Sequence, residues 1–321
     1  MPELTPYLES VAQQIDSVIR RDFGEPAGEL NKAAAHLLSA GGKRLRPAVV
    51  MLAADTVKRG SSPGIIPAAL ALELTHTFTL IHDDIMDDDS MRRGVPTVHT
   101  KWDMPTGILA GDVLYALAFE YICRASADDD ARTHAVSMLA RACAEICEGQ
   151  HMDMSFEHRT DVREEEYMEM VRKKTGALYA AAAGIGGILA GGNSRQVEAL
   201  YRFGLNTGIA FQIQDDLIDL LTPSAKSGKD RASDLREGKQ TLIMIRARKK
   251  GIDLLKYRRD LSDAEINAAI SEITRAGVID EVRKVAADLV ADSNQLLSQF
   301  TPSDERRLLM EIGEFFVTRS F

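Results

Sequence analysis

Cysteine is scarce: Cys123, Cys143 and Cys147 are the only three in 321 residues. An odd, small number excludes a disulfide framework and suits a reducing, cytoplasmic setting. Cys143 and Cys147 are four apart, but no neighbouring pair completes a zinc site, so all three are expected as small buried residues. Basic residues are also in deficit: 39 Lys and Arg against 48 Asp and Glu give a net charge of −9, which argues against nucleic acid as the main partner. No Ser/Gly-rich or Pro-rich run divides the chain. A single domain over 1–321 is therefore expected, although the length alone would suggest two. The N-terminus has no charged start followed by an apolar core, so no signal peptide is expected. The uncharged run from Gly176 to Ser194 is mostly Ala and Gly, too weakly apolar for a membrane span. No integral membrane segment is expected. That run reads instead as a central helix whose small side chains let neighbours approach closely. Finally, no stretch alternates convincingly with period two, so the fold class is all-α.

What the chain does have is concentrated in one stretch, His76 to Gly94. An apolar run, Phe78, Leu80 and Ile81, leads into Asp83-Asp84-Ile85-Met86-Asp87, and Arg92-Arg93 follow. Residues four apart share a helix face, with Cβ atoms about 5–6 Å apart. Asp83 and Asp87 would point the same way, and two adjacent carboxylates need a cation; a hard divalent ion held by oxygen is the natural candidate. One such pair alone reads equally well as an acidic helix end in solvent. The same grammar recurs, however, in Phe211-Gln212-Ile213-Gln214-Asp215-Asp216-Leu217-Ile218-Asp219. Two such helix ends facing each other would form a carboxylate cage. Mg²⁺ takes few carboxylates and completes its shell with water and phosphate oxygen, so the cage suits a diphosphate.

Basic residues come in small islands: Lys43-Arg44 with Arg46, Arg92-Arg93, Arg172-Lys173-Lys174, and Lys226, Lys229 and Arg231 with Lys239. Singly each is ordinary surface charge; together they could hold a small polyanion. Gly41-Gly42 precede Lys43 at the start of a helix with Pro47 in its first turn, and free N–H groups plus side-chain charge suit an anion there. Along the chain, Leu8, Val11, Ile15, Val18 and Ile19 predict an amphipathic first helix. Further helices are predicted at about 29–38, from about Ile65, at 105–124, 131–158 and 195–221. Asp161 with Glu164, and Ser262 with Glu265, read as capping boxes.

These motifs, in this order, resemble the trans-isoprenyl diphosphate synthases, the head-to-tail prenyltransferase family. The likeness rests on Gly41 through Pro47, His76, the first aspartate motif with Arg92-Arg93-Gly94, Ala110-Gly111-Asp112, Gly149-Gln150 with Asp153, Lys174-Thr175-Gly176, Phe211-Gln212 with the second aspartate motif, and Gly228 through Lys239. It implies mostly antiparallel helices around a deep central cavity, and a homodimer. It implies that Asp83 and Asp87 hold two Mg²⁺ ions on an allylic diphosphate, and that Asp215, with Asp219 nearby, holds a third. Lys43, Arg46 and His76, with Arg93, would bind the diphosphate of isopentenyl diphosphate. Arg92, Lys174, Lys229 and Lys239 would hold the allylic diphosphate. Thr175, Gln212 and the backbone around Lys174 would supply oxygen dipoles near a carbocation, while His82 reads as structural.

The chemistry explains such a residue set. When an allylic C–O bond breaks, charge grows on the departing pyrophosphate, where metals and cations stabilise it. The carbocation needs a dry cavity, and the released pyrophosphate can take the final proton. Product length becomes a question of depth. Phe78 lies five residues before Asp83, roughly 7.5 Å deeper along a helix. In the family a bulky aromatic there acts as a floor. With the small Thr79 beside it and no insertion within the motif, the pattern resembles archaeal-type geranylgeranyl (C20) synthases. Farnesyl (C15) and longer (C25 or more) products are the alternatives. A terpene cyclase would not need the Lys43–Arg46 pocket or the second full aspartate motif. A non-catalytic subunit of a heteromeric synthase would be expected to lose one motif.

Overall fold

Helical periodicity is realised almost throughout in a computed structural model, which describes residues 4–222, 232–257 and 261–319. The helices are α1 (Leu4–Phe23), α2 (Gly28–Ser39), α3 (Leu45–Val57), α4 (Ile66–Met86), α5 (Val98–Lys101), α6 (Met104–Cys123), α7 (Asp129–Phe156), α8 (Glu164–Val171), α9 (Ala177–Leu189), α10 (Ser194–Leu221), α11 (Ser233–Glu237), α12 (Leu242–Lys249), α13 (Asp263–Arg275), α14 (Val278–Leu296) and α15 (Asp304–Thr318). Strand structure among the described residues is one small hairpin, β1 (Met91–Arg92) against β2 (Val95–Pro96). Arg93 (φ 52°) and Gly94 (φ 77°) form its turn, the two-residue type with positive φ at both positions.

The chain divides into two compact units. The first comprises Met1–Cys143, Ala181–Tyr201 and Gln299–Glu311; the second comprises Ala144–Ala180, Arg202–Ser298 and Ile312–Phe321.

In the first unit α4 is the axis, packed most extensively on α6 and also on α2 and α3. Leu70, Leu72, Leu74 and Ile81 are fully buried, each contributing about 1.5–3 kcal/mol of apolar transfer. Close passage of α6 depends on Gly111. A Cβ there would lie 2.2 Å from His82 Nε2, and His82 itself meets the carbonyl of Ile108 at 3.0 Å. His82 is thus a tie between helices. The Ala/Gly run packs as expected: a Cβ on Gly186 would lie 2.3 Å from the Val50 carbonyl oxygen.

The second unit has an aromatic centre in which Tyr179, Phe211 and Phe316 pack with ring centroids 5.0–5.5 Å apart. Gly204 lets α10 cross the start of α9, since a Cβ there would lie 2.2 Å from the Tyr179 carbonyl oxygen.

Two expectations need correction. Cys143 is buried, but Cys123 and Cys147 are exposed, because both fall on outward faces of their helices; all three are free thiols. The cap of α8 is not Asp161 with Glu164. Glu166 accepts the Arg163 N–H at 3.0 Å, while Asp161 is drawn to Arg159 and Glu164 to Arg246 and Lys249. Ser62–Met86 and α6 are each long and apolar enough to cross a membrane by length and composition alone, a test that core helices also pass. For the first, 67% of the window is buried inside the protein, as befits a core helix; for α6 the share is 39%.

Candidate active site

Both aspartate motifs lie at the C-terminal end of a long helix. The helix dipole is negative there, so carboxylates are disfavoured unless cations join them. α4 ends at Met86 with Asp87 as its C-cap, and Asp83, Asp84, Asp87, Asp88 and Asp89 crowd that end. Asp83 is half-buried, Asp84 buried and Asp87 exposed. Arg92 meets part of the need: its guanidinium contacts Asp84 at 2.6 Å and Asp89 at 2.8 Å. Burial pushes the Asp84 carboxyl up to about 6 despite Arg92, and its Oδ2 has no hydrogen-bond partner. Arg92, expected on the allylic diphosphate, is here committed to aspartates.

The same unit gathers the residues expected around the second substrate's diphosphate. Gly41 (φ 87°) takes the left-handed conformation that glycine permits, and its carbonyl accepts a 2.5 Å bond from Arg93. Arg93 thereby joins the hairpin to the turn that leads into α3. Lys43 is exposed and Arg46 half-buried on the first turn of α3. His76, on α4, has its pKa held well below the usual value by burial and then by Arg46, Arg93, Arg92 and Arg44. A neutral imidazole among four guanidinium groups is a site for an anion. Arg44, by contrast, is spent on structure. It is 3% exposed, caps α3 in the left-handed region, and binds Glu73 at 2.6 Å, Asp16 at 2.9 Å and the Leu38 carbonyl at 2.8 Å.

Phe78 is buried five residues before Asp83. Its ring meets His82 and Tyr115 edge to face at centroid distances of 5.8 and 5.1 Å, and Tyr115 meets Phe119 at 5.0 Å. Thr79 turns its hydroxyl back to the His76 carbonyl at 2.8 Å.

The second unit holds the remaining groups. Asp215 is half exposed and is paired with Arg319 at 2.9 Å. That guanidinium also lies 3.9 Å over the Phe211 ring. Asp219 accepts from Ser233 Oγ at 2.6 Å and from the Asp234 N–H at 3.1 Å, so it anchors α11. Lys174 pairs with Asp153 at 2.5 Å. It belongs to a π-helical turn, Arg172–Gly176. Gly149 packs against that turn so closely that a Cβ would lie 2.3 Å from the Lys174 nitrogen. The next residue, Gln150, is buried with neither amide atom partnered. Thr175 Oγ1 donates to Gln212 Oε1 at 2.9 Å. Asp216 accepts from Gln212 Nε2 at 2.9 Å and from Tyr167 Oη at 2.7 Å, and burial pushes its carboxyl up to about 7. Burial likewise raises Asp234 well above the carboxylate range. For Lys239 burial acts downward, but Asp234, at 3.6 Å, and Glu237, at 3.2 Å, outweigh it and hold the amine above its usual value. Lys229 lies outside the described residues.

No preformed group of three or more metal-binding side chains exists among the described residues. Mg²⁺ itself takes one or two carboxylates and relies on water and phosphate for the rest. Acid-loaded helix ends and an orphaned carboxylate oxygen fit such an ion.

Arg319, Tyr167 and Arg44 went unassigned in the sequence. Arg319 lies 104 residues from its partner, and no local pattern links the two. Arg44 was visible within a basic island and the Gly41–Pro47 stretch, and Tyr167 belongs to neither aspartate motif nor any basic island.

An all-α chain with acid-tipped helices and an arginine nest has the chemistry to suit a small polyanion. Comparison with known proteins makes this specific. The polyprenyl synthetase family model matches residues 27–273. A geranylfarnesyl diphosphate synthase of Natronomonas pharaonis is 48% identical over 308 residues, covering 91% of this chain and 90% of the relative. A geranylgeranyl diphosphate synthase of Methanosarcina mazei is 45% identical over 295 residues, with 91% and 90% covered. The solved geranylgeranyl pyrophosphate synthetase from Geoglobus acetivorans superposes with a TM-score of 0.91 at 42% identity, over 97% of this chain and 99% of that one. The chain belongs to the polyprenyl synthetase family, and its fold is the all-α isoprenoid synthase fold.

Proposed function

We propose that this chain is a Mg²⁺-dependent prenyltransferase that condenses isopentenyl diphosphate with an allylic diphosphate, with geranylgeranyl diphosphate (C20) as product. The observation that carries the reading lies on α4. One helix places His76 among four arginines and, less than two turns on, begins a run of five aspartates. These are the two needs of a diphosphate enzyme, cations for one phosphate group and metal ligands for another.

In this reading Asp83 and Asp87 of the first unit and Asp215 of the second hold the metal, and Asp219 is tied to α11. Three magnesium ions, when bound with substrate, would neutralise the departing pyrophosphate. Lys43, Arg46, His76 and Arg93 bind the isopentenyl diphosphate. Arg92, Lys174, Lys229 and Lys239 take the allylic diphosphate, Arg92 and Lys174 exchanging their carboxylate partners for phosphate. Thr175 and Gln212 present oxygen to the carbocation, and apolar helix faces exclude water. Phe78, braced by Tyr115, stops the growing chain, with Thr79 beside it. The whole of 1–321 serves as one synthase domain, and two copies form a homodimer in a reducing cytoplasmic setting.

The test supplies labelled isopentenyl diphosphate with C5, C10 or C15 allylic primers and Mg²⁺, with a chelator control. An all-trans C20 product supports the reading. C25 would move the assignment toward the relative from Natronomonas pharaonis, and C15 would shorten it. Cyclic hydrocarbons would point to a terpene cyclase, and activity only with a second polypeptide to a heteromeric subunit. Asp83→Ala should abolish turnover; unchanged turnover rejects the metal role. Phe78→Ala should lengthen the product by at least one C5 unit.

A further inference from the structure

We infer that Tyr167 and Asp216 are positioning residues that fix the direction of a hydrogen-bond relay ending at Thr175, so that its hydroxyl presents lone pairs, and not its proton, to the cationic carbon. The inference rests on the function proposed above and adds two residues to it.

The relay joins three elements of the second unit. Tyr167 is on α8, Asp216 and Gln212 are one turn apart on α10, and Thr175 is in the π turn. Its bonds are 2.7 Å from Tyr167 Oη to Asp216, 2.9 Å from Gln212 Nε2 to Asp216, and 2.9 Å from Thr175 Oγ1 to Gln212 Oε1. Tyr167 is 1% exposed, Asp216 7% and Thr175 8%, and Gln212 between them is half-buried, so the Tyr167–Asp216 end of the relay is the most shielded from water.

Direction follows from what each group can do. Both oxygens of Asp216 accept here, Oδ2 from Tyr167 Oη and Oδ1 from Gln212 Nε2, whereas an amide has one donor end and one acceptor end. With Asp216 taking the Gln212 N–H, the amide must turn Oε1 toward Thr175. Thr175 then donates its only hydroxyl hydrogen to Oε1, and what remains on Oγ1 is two lone pairs. An alcohol oxygen whose proton is committed elsewhere stabilises a nearby carbocation through its dipole. The amide oxygen of Gln212 is too weak a base to remove that proton, so the neutral alcohol does not go on to form a stable ether. Tyr167 occupies the other oxygen of Asp216 and keeps that carboxylate facing the amide. Chains of hydrogen bonds polarise one another in low dielectric, so the far end of the relay influences the near one.

The test compares the wild type with Tyr167→Phe, Thr175→Val and the double variant. Tyr167→Phe should lower kcat about tenfold to a hundredfold, with little change in KM for either diphosphate. The effects should be non-additive: Tyr167→Phe should do little once Thr175→Val is present. A second readout is binding of two allylic diphosphate analogues, one with an ammonium in place of the cationic carbon and one neutral. The wild type should prefer the ammonium analogue, and Tyr167→Phe should lose that preference while holding the neutral analogue equally well. If Tyr167→Phe does not fold by circular dichroism, Thr175→Ser against Thr175→Val reads the same preference at the other end: Ser should retain it and Val should lose it. Additive losses, or equal loss for both analogues, or an unchanged kcat, would overturn the relay while leaving the enzyme assignment intact. A wild type that makes no prenyl diphosphate would overturn the assignment and the relay together.

Discussion

His76 is where burial and charge act together. Its pKa is lowered, so the folded state resists the proton that the unfolded chain takes up near the ordinary value of 6.5. Stability from this group is therefore full above about pH 6.5 and is lost as pH falls below it. Asp84 and Asp216, with raised values, act in the opposite sense: their contribution is full below the ordinary carboxylate value and is lost as pH rises towards 6 and 7. Only a difference between variants isolates the histidine. His76→Gln should flatten the dependence of Tm on pH between 5 and about 6.5 relative to wild type. Because the imidazole is neutral, His76→Gln should also keep the KM for isopentenyl diphosphate within a few-fold, whereas His76→Ala should raise it about tenfold or more through a lost hydrogen bond to a charged ligand. Initial rates at varied isopentenyl diphosphate would show a mistaken role if Gln and Ala behaved alike. Arg319 supports a second expectation. It neutralises Asp215 from a nearly buried position, 8% exposed, so a metal ion at Asp215 has to compete with it. Arg319→Gln should tighten Mn²⁺ binding measured by spin-label-free paramagnetic resonance, and Asp215→Asn should remove that gain.

At the scale of elements, the π turn at Arg172–Gly176 is the feature most sensitive to its neighbour. Gly149 meets the backbone of Lys174, which cannot move aside as a flexible side chain can. Gly149→Ala should destabilise the fold by about 1–3 kcal/mol, the usual cost of overpacking. It should lower kcat beyond what the loss of folded protein explains, since Lys174 and Thr175 are displaced together. Denaturant unfolding alongside active-site-normalised rates separates the two effects. A variant with wild-type stability would mean that the close approach is not needed. The hairpin carrying Arg92 and Arg93 is a second sensitive element. Arg93 adopts φ 52°, a conformation that costs a non-glycine residue free energy and is held here by its bonds to Gly41 and Glu73.

For the whole molecule, α6 is the unusual surface. Met104, Ile108, Leu109 and Tyr115 are 39–55% exposed, a cluster of large apolar side chains on one helix. Such a patch favours association. In the proposed homodimer it would be covered, and Leu109→Lys should shift sedimentation toward a monomer. A variant that sediments as wild type would place the subunit interface elsewhere. Because α6 also carries Tyr115 behind Phe78, the same variant is expected to alter product length if subunit contact steadies that helix.

The sequence by itself determined the all-α class, the acidic helix ends and the grouping of chemistry around His76–Gly94. These are local facts: four-residue spacing puts carboxylates on one face, small residues mark close helix crossings, and turn glycines mark positive φ. The family likeness was legible for the same reason, since its motifs are short and ordered. Only the tertiary structure decided which basic residues are spent on structure, as Arg44 is, and which groups a buried carboxylate collects. The Tyr167–Asp216 and Arg319–Asp215 pairs span 49 and 104 residues, and no sequence period connects positions so far apart. Packing brought them together, and packing is a property of the folded surfaces rather than of any one segment.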